Sequence, residues 1–290
     1  MPAVNNNSGR IHEMNQFCAM LIHEYRVILP MTVEQYQVAQ LYTIADMSRS
    51  ETGGGEGIEI LKNEPFSNHS LLGGMYTAGQ YTLKIYHVQK KIPTLIKLIV
   101  PKGSLKIYEE CWNTYPYSKT VLTNPGLMKD GFELTIESLH LNDRGEKYNV
   151  HHLPPELLKQ RQVTTIDIAN DNVGRKDYDP SFDPKTFHSE KSGQGPLTDN
   201  WLETVTPVMT CYKLVTANFK WFGLQRRVEK FLQKFEQRLF TVFHRRLFCL
   251  SDQWYDLTMA DVRDIEEESK VVLDREMKSA NLRGTSTYSF

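Results

Sequence analysis

A cysteine framework, an excess of one charge and a long apolar run are all missing from this 290-residue sequence, and each absence removes a class of protein. Cys18, Cys111, Cys211 and Cys249 stand far apart with no Cys-x-x-Cys pair. Neither a disulfide scaffold nor a structural zinc site is expected from such spacing, and the four read as reduced thiols. Lysine and arginine number 34 against 35 aspartate and glutamate, a net charge of −1. A nucleic-acid-binding domain would carry a basic excess, so any membrane contact must be mainly apolar. The longest apolar run, Phe17 to Ile22, has six residues. A spanning helix needs about 20 and a signal peptide about 7 to 15, which predicts a soluble, cytoplasmic, non-secreted protein. With 17 Gly, 13 Pro and 40% hydrophobic residues, disorder, collagen and coiled coil are excluded as well. The length allows one or two domains.

Catalytic signatures are also absent. Gly53-Gly54-Gly55-Glu56-Gly57 is followed by Ile58 where a dinucleotide fingerprint needs glycine, and no Gly-Lys-Ser/Thr follows for a P-loop. It reads as a turn between a helix and a strand. There is no Gly-x-Ser-x-Gly elbow, no His-Glu-x-x-His and no Asp-rich metal loop. His151 and His152 are adjacent and diverge, which is poor geometry for a shared metal. No enzyme activity, metal or cofactor is expected.

What is present is a series of strands and a few long helices. Ile22–Leu29 alternates up to Pro30, and Thr32 precedes a helical pattern ending near Ser48. Strands are predicted at Ile58–Leu61, Gln80–Val88, Leu105–Glu109, Lys119–Thr123, Phe132–His140, Thr164–Ile168 and Thr210–Lys220. Their short spacings favour antiparallel pairing. The polar stretch 170–200, with Pro180, Pro184 and Pro196, reads as a long surface loop. Leu224, Val228, Phe231, Phe235, Leu239, Val242 and Phe243 form a helical stripe. A last helix starts at Thr258, with Asp261 completing an imperfect capping box. These elements predict a single α+β domain, an antiparallel sheet covered by long helices.

Three features point beyond packing. Alternation in Gln80–Val88 puts Thr82, Lys84 and Tyr86 on one strand face. Lys213 shares a face with Cys211, Val215, Ala217 and Phe219, and an inward lysine needs an anion, either a phosphate or an internal carboxylate. The segment from Ile92 through Leu95, Ile96, Leu98 and Ile99 to Val100 is apolar around most of a short helix, and Trp221-Phe222 places two aromatics at a strand-to-helix junction. Together these last two fit a surface that meets a membrane.

From about Met20 to about Met277 the chain closely resembles the class I phosphatidylinositol transfer proteins. The resemblance rests on EYRVILP from Glu24, ETGGGEGIE from Glu51, GQYTLKIYHV from Gly79, WNTYPYSKTVLTN from Trp112, GQGPLTDNW from Gly193, CYKLVTANFKWFGLQ from Cys211, FHRRLFC from Phe243 and WYDLTM from Trp254. It implies a START-like fold, a curved antiparallel sheet and long helices enclosing one phospholipid. It implies a cargo of phosphatidylinositol or phosphatidylcholine, exchanged between membranes without reaction. By the same resemblance Thr82, Lys84, Asn113 and Glu266 contact inositol, and Gln40, Thr120, Ser138 and Lys213 contact phosphate.

Ser118 lies in the headgroup pocket where vertebrate members have cysteine, and Ser138 stands where the family has threonine. Trp221 and Phe222 dock on the membrane, with phenylalanine replacing the family's second tryptophan. Residues 92–101 form the lid, residues 170–200 the regulatory loop, and Ser189 matches a regulatory phosphorylation position. The resemblance divides the chain into an extension (1–19), a transfer domain (20–280) and a tail (281–290). It implies a cytoplasmic monomer, transiently peripheral on intracellular membranes. The alternative roles are a scaffold presenting phosphatidylinositol to lipid kinases and a lipid hydrolase.

Overall fold

Thr32 starts the first helix as the sequence predicts. Its hydroxyl accepts from the Gln35 backbone N–H at 3.2 Å while the Gln35 side chain accepts from the Thr32 N–H at 2.9 Å, a reciprocal cap. The computed structural model describes residues 21–52, 57–87, 106–125, 132–198, 200–219 and 225–277. In chain order it contains β1 (Leu21–Leu29), α1 (Val33–Glu51), β2 (Gly57–Leu71), β3 (Tyr76–His87), β4 (Lys106–Thr114), β5 (Tyr117–Thr123) and β6 (Phe132–Leu141). There follow α2 (Pro155–Leu158), β7 (Gln162–Ile166), α3 (Trp201–Thr204), β8 (Met209–Phe219), α4 (Gln225–Cys249), α5 (Ser251–Trp254) and α6 (Met259–Met277).

The eight strands make one sheet in the order β2-β3-β4-β5-β6-β8-β1-β7. Every pairing from β2 to β1 is antiparallel, as expected. The edge strand β7 instead runs parallel to β1, which makes the sheet mixed. Parallel neighbours require a long connection. Most of the sheet lies between β1 and β7 in sequence, so the short hairpin spacings that predicted antiparallel pairing carry no information about this pair. Strand β2 runs ten residues past its predicted end at Leu61, with register shifts at Ile60/Lys62 and Ser67/Leu71. Its polar second half has no alternation to read, and pairing with β3 holds it extended.

The main core fills the space between one sheet face and helices α1 and α4, with Tyr25, Val27, Tyr36, Cys211, Val215, Phe240 and Leu247 buried in it. Helix α4 does not bury the predicted stripe. Its buried side chains include Leu232, Glu236, Phe240, His244 and Leu247, while Leu239 is 43% exposed and Phe231, Phe235 and Phe243 are half-buried. The side chains of Leu224 and Val228 lie outside the described residues. A stripe drawn from hydrophobicity misses Glu236 and His244, whose partners are on other elements. The Tyr25 hydroxyl donates to Glu236 Oε2 at 3.3 Å, and the Tyr36 hydroxyl lies 3.0 Å from His244 Nε2.

These buried groups set a pH dependence. Burial and then the Lys213 charge push His244 down to about 3, and the same causes hold His140 well below the ordinary histidine value. Burial pushes Glu236 up to about 8. The two histidines are neutral when folded and charge on unfolding below about pH 6.5, so their contribution is lost as pH falls from there. Glu236 stays protonated in the fold, so its contribution is present below its unfolded value of 4.5 and lost as pH rises through about 8. Each proton is worth about 1.4 kcal/mol per pH unit. For these three groups the two histidines outweigh the one carboxyl below about pH 6.5, and Glu236 alone acts above it. Urea denaturation from about pH 5 to about pH 9 should show a maximum near pH 6.5, with Glu236→Gln removing the alkaline decline. An unchanged alkaline limb in that variant would refute the assignment.

Candidate functional site

Strand register brings most of the predicted site residues onto one sheet face. Directly opposed residues of antiparallel neighbours share a face. One row runs Gln80, Asn113, Ser118, Ser138, Lys213, Tyr25, and the next runs Thr82, Cys111, Thr120, Ile136, Val215, His23. A third starts Lys84, Glu109, Leu122. Thr82, Lys84 and Asn113 therefore lie together on β3 and β4, while Thr120, Ser138 and Lys213 lie on β5, β6 and β8. Lys84 and Lys213 are four strand spacings apart across the sheet, roughly 19 Å, and four residues apart along the strands. Tyr25 donates to the Gln233 carbonyl of α4 at 3.1 Å, which identifies this as the helix-covered face.

At the β3–β4 end, Lys84 is largely buried rather than solvated. Its side chain is 16% exposed, and Nζ donates to Glu109 Oε1 at 3.0 Å. The Tyr86 hydroxyl donates to the other Glu109 oxygen at 2.7 Å, so the carboxylate fixes both side chains. Burial is the largest single influence and pulls the Lys84 ammonium down, but the Glu109 charge and hydrogen bond, helped by Glu266, together hold it above the value of ordinary lysine. Glu266, on α6, thus acts on Lys84 through its charge while pairing with Arg263 on its own helix. Helix α6 is anchored to α1 by Arg49, whose Nε donates to Ser269 Oγ at 3.0 Å. Cys111, between Thr82 and Thr120, is kept as a thiol by burial and then by the Glu109 charge.

Toward β8, Lys213 Nζ lies 3.4 Å from Ser138 Oγ and 5.2 Å from the centre of the Phe240 ring. It has no carboxylate partner among the described residues. Of the two partners the sequence allowed for this inward lysine, an internal carboxylate is not found among the described residues. Gln40 is half-buried one helical turn after Tyr36, whose hydroxyl reaches Cys211 and His244. Asn113 sits where strands approach closely, since a Cβ on Gly79 would come within 2.2 Å of the Asn113 carbonyl oxygen. Glu109 is the residue that sequence reasoning missed, and Tyr86, placed on the Lys84 face by alternation, gains its role through it. A strand prediction stopping at Glu109 hid the pairing that sets Glu109 beside Lys84.

The segment 170–200 packs on the helices. Asp177 pairs with Arg238 of α4, and Lys191 Nζ reaches Asp256 at 2.6 Å. Ser189 is fully buried, its hydroxyl donating to Asp252 Oδ1 at 2.5 Å, and the Glu190 and Lys191 amides also donate to Asp252. A phosphoryl group on Ser189 would meet that carboxylate, so modification requires this segment to leave α5 first. Ile92, Leu95, Ile96, Leu98 and Ile99, and Trp221 and Phe222, lie outside the described residues.

A helix-covered sheet with a band of hydroxyls and ammonium groups on its covered face defines a START-like α+β lipid-binding protein. The sequence profile of the family described as phosphatidylinositol transfer protein matches residues 20–271. The chain belongs to that family. It is 48% identical over 273 residues to the phosphatidylinositol transfer protein beta isoform of Mus musculus, covering 92% of this chain and 98% of that one. It is 48% identical over 267 residues to phosphatidylinositol transfer protein 2 of Dictyostelium discoideum, covering 90% and 100%. To the human membrane-associated phosphatidylinositol transfer protein 2 it is 41% identical over 271 residues, 91% of this chain but 20% of that protein.

Proposed function

We propose that the protein holds one phosphatidylinositol or phosphatidylcholine molecule between sheet and helices and exchanges it between membranes, as a carrier and not an enzyme. The observation that carries this reading is Lys213, an inward ammonium with a hydroxyl beside it and no carboxylate partner among the described residues. A phosphodiester supplies the missing charge, and Gln40, Thr120 and Ser138 supply its remaining hydrogen bonds. Thr82, Lys84, Asn113 and Glu266 then face the inositol ring, and Ser118 lies between the two groups. The names of its relatives support transfer as the activity. The carrier acts as a monomer that visits the membrane surface briefly. No helix of the described residues is long and apolar enough to cross a bilayer. Trp221 and Phe222 dock it there, and Ile92 to Ile99 form the lid.

Native mass spectrometry should find one phospholipid per chain, and vesicle assays should show transfer of both lipids with neither hydrolysed. Combining Trp221→Ala with Phe222→Ala should slow transfer of both while the cargo stays bound. An empty wild-type protein, or released headgroup, would overturn the carrier reading. Tight binding without transfer between protein-free vesicles would point instead to a scaffold.

A further inference from the structure

The sheet face turned away from the headgroup residues carries a second polar cavity. Lys119 lies opposite Trp112 and Glu137 in the register, one residue out of phase with Ser118, Thr120 and Ser138. Period-two alternation therefore sets it on the opposite face. A groove of about 680 Å³ opens there between the β2–β3 turn and the segment preceding α2, a volume typical of small-ligand sites. Lys119 and Glu137 line it from the sheet, His69 and Met75 from the β2–β3 side, and His151 and His152 from the other.

Two of these groups lack the partners their position calls for. Although Glu137 lies across from it, Lys119 makes no hydrogen bond or ion pair among the described residues. The Glu137 carboxylate accepts the Tyr117 hydroxyl instead. His151 is only 6% exposed; its Nδ1 faces the Glu24 carboxylate, and its Nε2 has no hydrogen-bond partner among the described residues. The Nδ1 lies 3.7 Å from Glu24 Oε2, so that nitrogen belongs to the Glu24 cluster and Nε2 is the one left over. A buried polar group without a partner calls for an explanation, and a ligand in the groove it lines is one. His152, beside it, holds a left-handed backbone with φ of 53° and lines the same groove.

We infer that this groove binds a small phosphate-bearing anion, with Lys119 and the imidazoles of His69, His151 and His152 as donors and Glu137 accepting a ligand hydroxyl. Donors reach the groove from three sides, which suits the several acceptor oxygens of a phosphate monoester better than the two of a carboxylate. Met75, 63% exposed, offers an apolar wall for the carbon part. The ligand is either a soluble phosphate ester or the headgroup of an anionic lipid, and both present the same chemistry.

Glycerol 3-phosphate titrated into the lipid-loaded full chain, followed by amide NMR, should give saturable shifts around residues 69–75, 117–119 and 151–152. Lys119→Gln should weaken that binding about tenfold or more, as loss of a charged hydrogen bond does. His152→Asn, which keeps the left-handed backbone accessible, should weaken it less, and Lys213→Gln on the opposite face should leave it unchanged. In parallel, vesicles of phosphatidylcholine with and without phosphatidic acid are tested by co-sedimentation. Saturation by glycerol 3-phosphate without Lys119-dependent binding to phosphatidic acid vesicles assigns a soluble ligand. Binding seen only with phosphatidic acid vesicles and sensitive to Lys119→Gln assigns a lipid headgroup. The inference is overturned if neither probe binds, if Lys119→Gln and His152→Asn bind as the wild type does, or if Lys213→Gln abolishes binding while Lys119→Gln leaves it intact.

Discussion

Lys84→Ala is expected to lower phosphatidylinositol transfer by roughly 10- to 150-fold while phosphatidylcholine transfer stays near the wild-type rate. The largely buried ammonium is held by Glu109 at 3.0 Å, and Glu109 is itself held by the Tyr86 hydroxyl. Its direction is therefore set before any lipid arrives, and little side-chain entropy remains to be lost on binding. A hydrogen bond from a charged group contributes about 1.5 to 3 kcal/mol, which converts to the stated range. Phosphatidylcholine has no inositol ring for Lys84 to meet. Glu109→Gln should produce the same selectivity with a smaller loss, since it loosens Lys84 without removing it. Transfer of each labelled lipid between vesicles is the measurement. Equal loss of both lipids in a folded Lys84→Ala protein would move this residue from inositol recognition to the fold.

Glu24→Gln should destabilise the protein by about 3 to 5 kcal/mol, the loss that follows when one partner leaves a buried ion cluster. Glu24 is fully buried on the sheet face opposite the main core. Its two oxygens accept from Arg26 Nε at 2.7 Å and Arg161 Nη1 at 2.6 Å. Burial pushes its carboxyl up, yet His151 and the two arginines outweigh that and hold it below the usual carboxylate range. The sign follows from linkage. A depressed folded value contributes stability above the unfolded value near pH 4.5, and that contribution is lost as pH falls through the folded one. Glutamine keeps the shape and removes the charge, leaving the 4%-exposed Arg161 side chain without a counter-ion. Urea denaturation at neutral pH tests this. Adding Arg161→Met should recover part of the loss, because the stranded charge goes with it. A shift below about 1 kcal/mol would show the cluster to be solvated like a surface pair.

The amino-acid sequence carries the class, the family and most of the element boundaries. Thr32 with Gln35, and Thr258 with Asp261, mark helix starts through local hydrogen bonds that need no tertiary partner. Alternation around Lys84 and Lys213 shows that these lysines share faces with particular neighbours, because a two-residue period is a property of the strand itself. The named contact roles of Thr82, Asn113, Thr120 and Ser138 come from motif resemblance.

Only the tertiary structure decides which strands are neighbours, and the site depends on that. Register sets Glu109 across from Lys84 and Ser138 beside Lys213, and it sets Lys119 on the far face one residue out of phase. Strand β7 runs parallel to β1 for a similar reason: nothing within either segment specifies a partner so distant along the chain. The buried face of α4 was illegible because Glu236 and His244 are polar, and their burial is tolerable only where Tyr25 and Tyr36 come to meet them. Local hydrogen bonds and side-chain periodicity are written within a few residues of sequence. The balance between desolvation and a partner's charge depends on groups that meet only in the fold.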